Sequence, residues 1–141
     1  MLSNELKSII DRFNMQGKMY FPDGATEEQI AAFENKHSIK LPLQFKEWLL
    51  FTDGGECFLP AGVQLYGVAH KPLIDLDDND RPGEKYIVIG ALASGDPILC
   101  QKSGEEISIY NHDAGRIEDD ETYLDFFSFL NDLNELLGVG D

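Results

Sequence analysis

The hydrophobic spacing of this chain changes period twice, and that limits the fold more than any other feature of the sequence. Up to about residue 52, apolar residues recur at three- and four-residue intervals, the repeat of amphipathic helices. From Cys57 to Tyr110 they gather in short runs rich in β-branched and aromatic residues, bounded by Gly, Pro, Asn and Asp, as strands and turns do. After Thr122 the helical spacing returns. This order predicts an α+β domain: N-terminal helices and one C-terminal helix packed on a mainly antiparallel sheet of about five to six strands.

Leu2, Leu6, Ile9, Ile10 and Phe13 form one stripe of a first helix over residues 2–14. Thr26 reads as the N-cap of a second helix reaching about His37, with Gln29 completing a capping box and Glu27 and Glu28 facing the positive end of the dipole. Pro42 suits the first position of a third helix, whose buried face is Phe45, Trp48 and Leu49 and which Gly54 or Gly55 stops. Strands are expected at 57–59, 63–68, 86–89, 98–100 and 106–110, with those from 86 to 111 forming an antiparallel meander and a short last strand near 114–118. Thr122 is expected to open the final helix, with Asp125 as capping partner and Phe126, Phe127, Leu130, Leu133 and Leu137 as its apolar stripe. A chain of 141 residues without repeats or a long linker reads as one domain over 1–141.

Charge narrows the function. There are 26 acids and 11 bases, for a net charge of −15, and the halves differ: residues 1–70 carry net −3 and residues 71–141 net −12. Phosphate-binding proteins draw affinity from Lys and Arg releasing counterions, so direct nucleic-acid binding is not expected, nor is adsorption to anionic membranes. No apolar run approaches the ~20 residues of a membrane span, and the charged N-terminus lacks a signal-peptide core. Two cysteines make neither a disulfide framework nor a zinc set, so a reduced cytoplasmic setting is expected.

The ordered succession Thr26-Glu27-Glu28-Gln29-Ile30, Phe33-Glu34, Leu41-Pro42 to Leu50 and Asp53-Gly54-Gly55 resembles the SUKH superfamily, which includes the yeast Smi/Knr regulators of cell-wall synthesis and many bacterial proteins. Ile89-Gly90, Ser94-Gly95-Asp96, Ile109-Tyr110-Asn111-His112 and the aromatic run from Tyr123 to Leu130 extend the resemblance over roughly residues 25–137. It implies an α+β fold with no known catalytic centre, a core aromatic at Trp48 and turn glycines at Gly54 and Gly95. For bacterial members it implies cytoplasmic immunity proteins that block toxins, many of them nucleases; for yeast members, interaction modules.

No residue set meets the spacing of a catalytic, cofactor or metal site. His37, His70 and His112 stand apart from one another and from cysteine. His37 reads as a helix end or surface residue, and His112-Asp113 as a turn rather than an acid–base pair. Cys57 and Cys100 lie in apolar strand patterns and read as buried small hydrophobes. Asp75, Asp77 and Asn79 match the first calcium-loop positions, but Asp80 stands where glycine is needed and Tyr86 where glutamate is. A solvated loop, a weak cation site and a partner-binding patch remain as readings of 75–80. Glu118-Asp119-Asp120-Glu121 is expected at the N-terminus of the last helix, favoured by its dipole.

The function expected is a non-catalytic protein-binding domain: an immunity protein that meets a basic partner, a toxin nuclease domain, with Asp75, Asp77, Asp78, Asp80, Glu118, Asp119, Asp120 and Glu121 supplying the field. The alternative is an intracellular scaffold or regulatory module that binds through apolar surface. A hydrolase or transferase built on His112 or a cysteine is the third reading. No cofactor is expected, and the sequence leaves the oligomeric state open.

Overall fold

The structure, a computed structural model, describes residues 3–59, 62–76 and 83–133. In chain order these form α1 (Asn4–Gln16), β1 (Lys18–Tyr20), α2 (Glu27–His37), α3 (Leu43–Phe51), β2 (Glu56–Leu59), β3 (Val63–Leu65), β4 (Tyr86–Leu92), β5 (Pro97–Gln101), β6 (Ile107–Asn111), β7 (Arg116–Tyr123) and α4 (Phe126–Asn131). The seven strands form one sheet in sequence order, each antiparallel to the next. The α+β class is as expected. The strand count is higher than expected because Lys18–Tyr20 pairs with β2. That segment is too short to show a period in the sequence.

The caps follow the sequence. Ser3 accepts from the Leu6 N–H, and α1 buries Leu6, Ile9, Ile10 and Phe13. Thr26 and Gln29 form the capping box of α2. On the sheet, strand alternation turns Ile87, Ile89, Ile98, Cys100, Ile107 and Ile109 toward the helices. Trp48 of α3 is fully buried, with ring centroids 5.7 Å from Phe21 and Phe51 and 6.0 Å from Phe126. Edge-to-face pairs of this kind add about 0.5–1.5 kcal/mol each beyond burial. The Trp48 indole donates to the Gly54 carbonyl at 2.8 Å, and Gly54 presents that carbonyl from φ 107°, where a side chain would be strained.

Helix α3 is the hub of the polar contacts. Pro42 occupies its N-cap rather than its first turn and offers no side-chain acceptor. Glu105, from the turn between β5 and β6, takes that role: both carboxylate oxygens accept from the Leu43 N–H, at 2.8 and 3.0 Å. Glu47 accepts from the Ser3 N–H and hydroxyl, tying down the start of α1. Gln44 accepts from the Phe127 N–H and donates to Asp125, tying down the start of α4.

The last helix starts later than the sequence suggested. Thr122 lies in β7 opposite Ser108, and their hydroxyls are 3.4 Å apart. Asp125 is the N-cap of α4, its carboxylate accepting from the Ser128 N–H at 2.9 Å. A β-branched threonine fits a ladder position, and aspartate caps a helix start better than threonine does. Glu118–Glu121 therefore belongs to a strand, and the helix dipole does not account for it. The expected positions at Leu2 and Leu137 lie outside the described residues.

Candidate partner-binding surface

The acidic run of β7 interrupts the sheet. Ser108 of β6 faces Thr122, and Tyr110 faces Ile117, so two steps along β6 correspond to five along β7. Glu118, Asp119, Asp120 and Glu121 fill this bulge opposite Ile109. Strand β7 ends the ladder order, so among the described residues its outer side pairs with no strand. Charge and bulging are two ways in which proteins keep such an edge from pairing with stray strands. Glu118 is half-buried and lies 3.5 Å from Arg116 Nε, while the side chains of Asp119 and Asp120 are outside the described residues.

Asp75, the one described acid of the other predicted cluster, is not beside it. Asp75 forms a two-way backbone bridge with Val88 of β4, with N–H···O distances of 3.0 and 2.8 Å. Val88 faces Leu99, Leu99 faces Ser108, and Ser108 faces Thr122, so Asp75 stands four ladder steps from β7. At about 4.8 Å per step that is roughly 19 Å, about twice the screening length at physiological salt. Asp77, Asp78 and Asp80 lie outside the described residues.

Asp53 has a role the sequence did not reveal. It is almost completely buried and collects the loop after β3. Its Oδ1 accepts from the Val68 N–H, and its Oδ2 from the Ala69 and His70 N–H groups, all within 2.7–2.8 Å. His70 Nδ1 lies 3.0 Å from the same Oδ2. Gly67 makes the approach possible, since a Cβ there would sit 2.7 Å from the carboxylate. Only the Asp-Gly-Gly turn signal marked this aspartate in the sequence, and its partners are about fifteen residues away. A carboxylate holding three backbone donors organises a loop, and His70 Nε2 is left on the outer side of the ring.

The remaining candidates resolve simply. His112 pairs with Asp96 through its backbone N–H and Nδ1, and its Nε2 is 3.5 Å from Asp113, all in the turns at one end of β4–β7. The turn reading of His112-Asp113 holds, with Asp96 rather than Asp113 as the main partner; Ala114 and Gly115, expected in the last strand, belong to the same turn, and β7 begins at Arg116. His37 lies in the last turn of α2, its ring 4.5 Å from that of Phe33. Cys57 and Cys100 are buried free thiols. Burial pushes Cys57 from 9.0 up to about 12. Burial, then the charge of Glu105, pushes Cys100 up as well. Both stay protonated near neutrality and are poor nucleophiles. Among the described residues, no three His, Cys, Asp or Glu side chains gather in a way that could hold a metal ion. Nor is any helix among them long and apolar enough to cross a membrane.

Comparison with known proteins agrees with the resemblance read from the sequence. The family model described as SMI1 / KNR4 family (SUKH-1) matches residues 24–134, well over half of the chain. No curated protein matches it. The family supports a non-catalytic interaction domain in broad terms.

Proposed function

We propose that this chain, which belongs to the SMI1/KNR4 family (SUKH-1), neutralises a toxin by binding it, and that the toxin is a basic protein of the nuclease type. A nuclease presents Lys and Arg to hold phosphate. A folded protein with a carboxylate surface meets that site with complementary potential, associates fast and competes with the polyanion substrate. The observation that supports this reading best is the four-acid bulge on the outermost strand, in a chain of net charge −15. Four consecutive acids held out of the regular ladder gather formal negative charge along one strand at the sheet margin, and the dipole explanation for them no longer applies. Asp75, Asp77, Asp78 and Asp80 would add to the long-range field, Asp75 from four ladder steps away. The proposed setting is the cytoplasm.

The test begins with co-purification from the source cells to identify the partner. Association is then followed by stopped flow for the wild type and for the variant Glu118→Gln, Asp119→Asn, Asp120→Asn, Glu121→Gln. The on-rate is expected to fall steeply with added salt and by roughly tenfold in the variant at low salt. Equal, salt-insensitive on-rates for both proteins would overturn the decoy mechanism.

A second reading, an intracellular scaffold or regulatory module, is favoured by the exposed apolar residues Leu43 and Leu124, at 68 % and 85 %. Binding would then rest on apolar area and vary little with salt.

A further inference from the structure

Two helix faces of matching period line one groove. On α2 the lining residues are Glu27, Ile30, Ala31 and Glu34. On α3 they are Leu43, Lys46, Glu47 and Leu50. Each set has the spacing i, i+3, i+4, i+7, a single stripe along a helix. Between them lies a cavity of about 350 Å³.

The chemistry of this groove is uneven in a useful way. Ile30, Ala31 and Leu50 make an apolar floor, and Leu43 stands at its mouth, 68 % exposed although it is a large aliphatic residue. Three carboxylates rim it against one ammonium. The ammonium is already matched, with Lys46 Nζ 3.4 Å from Glu34. Two of the carboxylates are held in place by other contacts: Glu34 accepts from the Leu41 N–H at 2.8 Å, and Glu47 from the Ser3 N–H and hydroxyl at 3.0 and 2.6 Å. Fixed charge around an apolar floor orders little on binding, so less entropy is lost there.

Resting on the reading of this chain as a binder of basic proteins, we infer that the α2–α3 groove seats an amphipathic basic helix of the partner. Its apolar stripe lies on Ile30, Ala31, Leu43 and Leu50, and its Lys or Arg residues meet Glu27 and Glu47. The lining runs from i to i+7 on each helix, about 10.5 Å, which is long enough for about two turns of such a helix. Helix-in-groove recognition uses this i, i+3, i+4, i+7 pattern on the incoming side. A second copy of this chain is the wrong occupant: it would bring net −15 and another acidic rim to the same place.

The test uses the full chain and a synthetic amphipathic helix of leucine and lysine, about fourteen residues long, with a glutamate-for-lysine version as control. Backbone and methyl NMR shifts are followed on titration. The lysine peptide is expected to move Ile30, Ala31, Leu43 and Leu50, and the glutamate peptide to move none of them. Ala31→Arg fills the groove with a cation at an exposed helical position that tolerates Arg, and should weaken the lysine peptide about tenfold or more. Leu43→Ser should weaken it several-fold, and unchanged thermal melts show that both variants fold. Shifts confined to β7, with no effect of Ala31→Arg, overturn the groove while leaving the acidic-surface reading standing. Groove shifts that persist unchanged in the β7 variant, together with flat on-rates toward the natural partner, overturn the acidic-surface reading and keep the groove. Equal binding of the glutamate peptide, or no binding of the lysine peptide, overturns the inference.

Discussion

Asp53 and Glu118 are both carboxylates in a chain of net charge −15, and they stand in opposite relations to the fold. Asp53 is buried and holds three backbone N–H groups of the loop after β3. Glu118 opens a bulge on the outermost strand, where regular pairing with β6 lapses. Others fall on the side of Asp53: Glu34, Glu47, Glu105 and Asp125 each accept from a backbone donor that a helix end or turn leaves open. Acids in this chain thus serve two purposes. One group closes the fold, and another lies along its margin, so net charge alone overstates the charge left uncommitted to the fold.

This contrast can be broken by measuring stability. Asp53→Ala strands three backbone donors in and beside the core and should cost about 3 kcal/mol or more, read as a lower urea midpoint with an unchanged slope. If it costs no more than neutralising the β7 acids, the two populations are one. High pH probes the packed side of the sheet next. The Cys57 pKa is raised on folding from 9.0 to about 12, so below pH 9 the thiol is protonated in both states and adds no pH dependence. Above pH 9 the unfolded chain releases the proton first, and stability falls, by about 1.4 kcal/mol for this thiol at pH 10. Comparing Cys57→Ala with the wild type from pH 8 to 11 isolates that slope, and parallel curves would contradict the burial of the thiol.

Much of this arrangement is local and was legible in the residues. The Thr26–Gln29 capping box, the stripe of α1 and the turns between β4, β5 and β6 depend on neighbours a few positions away. The misplaced helix start at Thr122 has a physical reason: a threonine before an aromatic run satisfies a capping pattern as well as a strand pattern, and only the pairing with Ser108 decides between them. The roles of Asp53, Glu47 and Glu105 were not legible, because each acts on a donor between 15 and 62 residues away. The α2–α3 groove lies between these cases. Its helices were read from the sequence, but with Phe45, Trp48 and Leu49 as the face of α3; only the packing of α2 against α3 brings Leu43, Lys46, Glu47 and Leu50 to one cavity.

Smaller effects sharpen the contrast further. Glu47→Ala releases the start of α1 and should cost about 1 kcal/mol, the value of a helix cap, measurable by thermal melting. The four-residue neutralisation in β7 should change stability by less than about 0.5 kcal/mol, in either direction, while altering the salt dependence of association. A large loss of stability in that variant would place the bulge among the acids that close the fold.

The three additional residues that β7 carries over β6 have a consequence for how this domain can diversify. Because they take no part in the register linking Thr122 to Ser108 and Ile117 to Tyr110, their number and kind can change without shifting any side chain of the neighbouring strands from one face to the other. Length variation is tolerable there in a way it is not within the regularly paired stretches of β4, β5 and β6. Related chains can therefore retune this margin by insertion, deletion or substitution while inheriting the same scaffold.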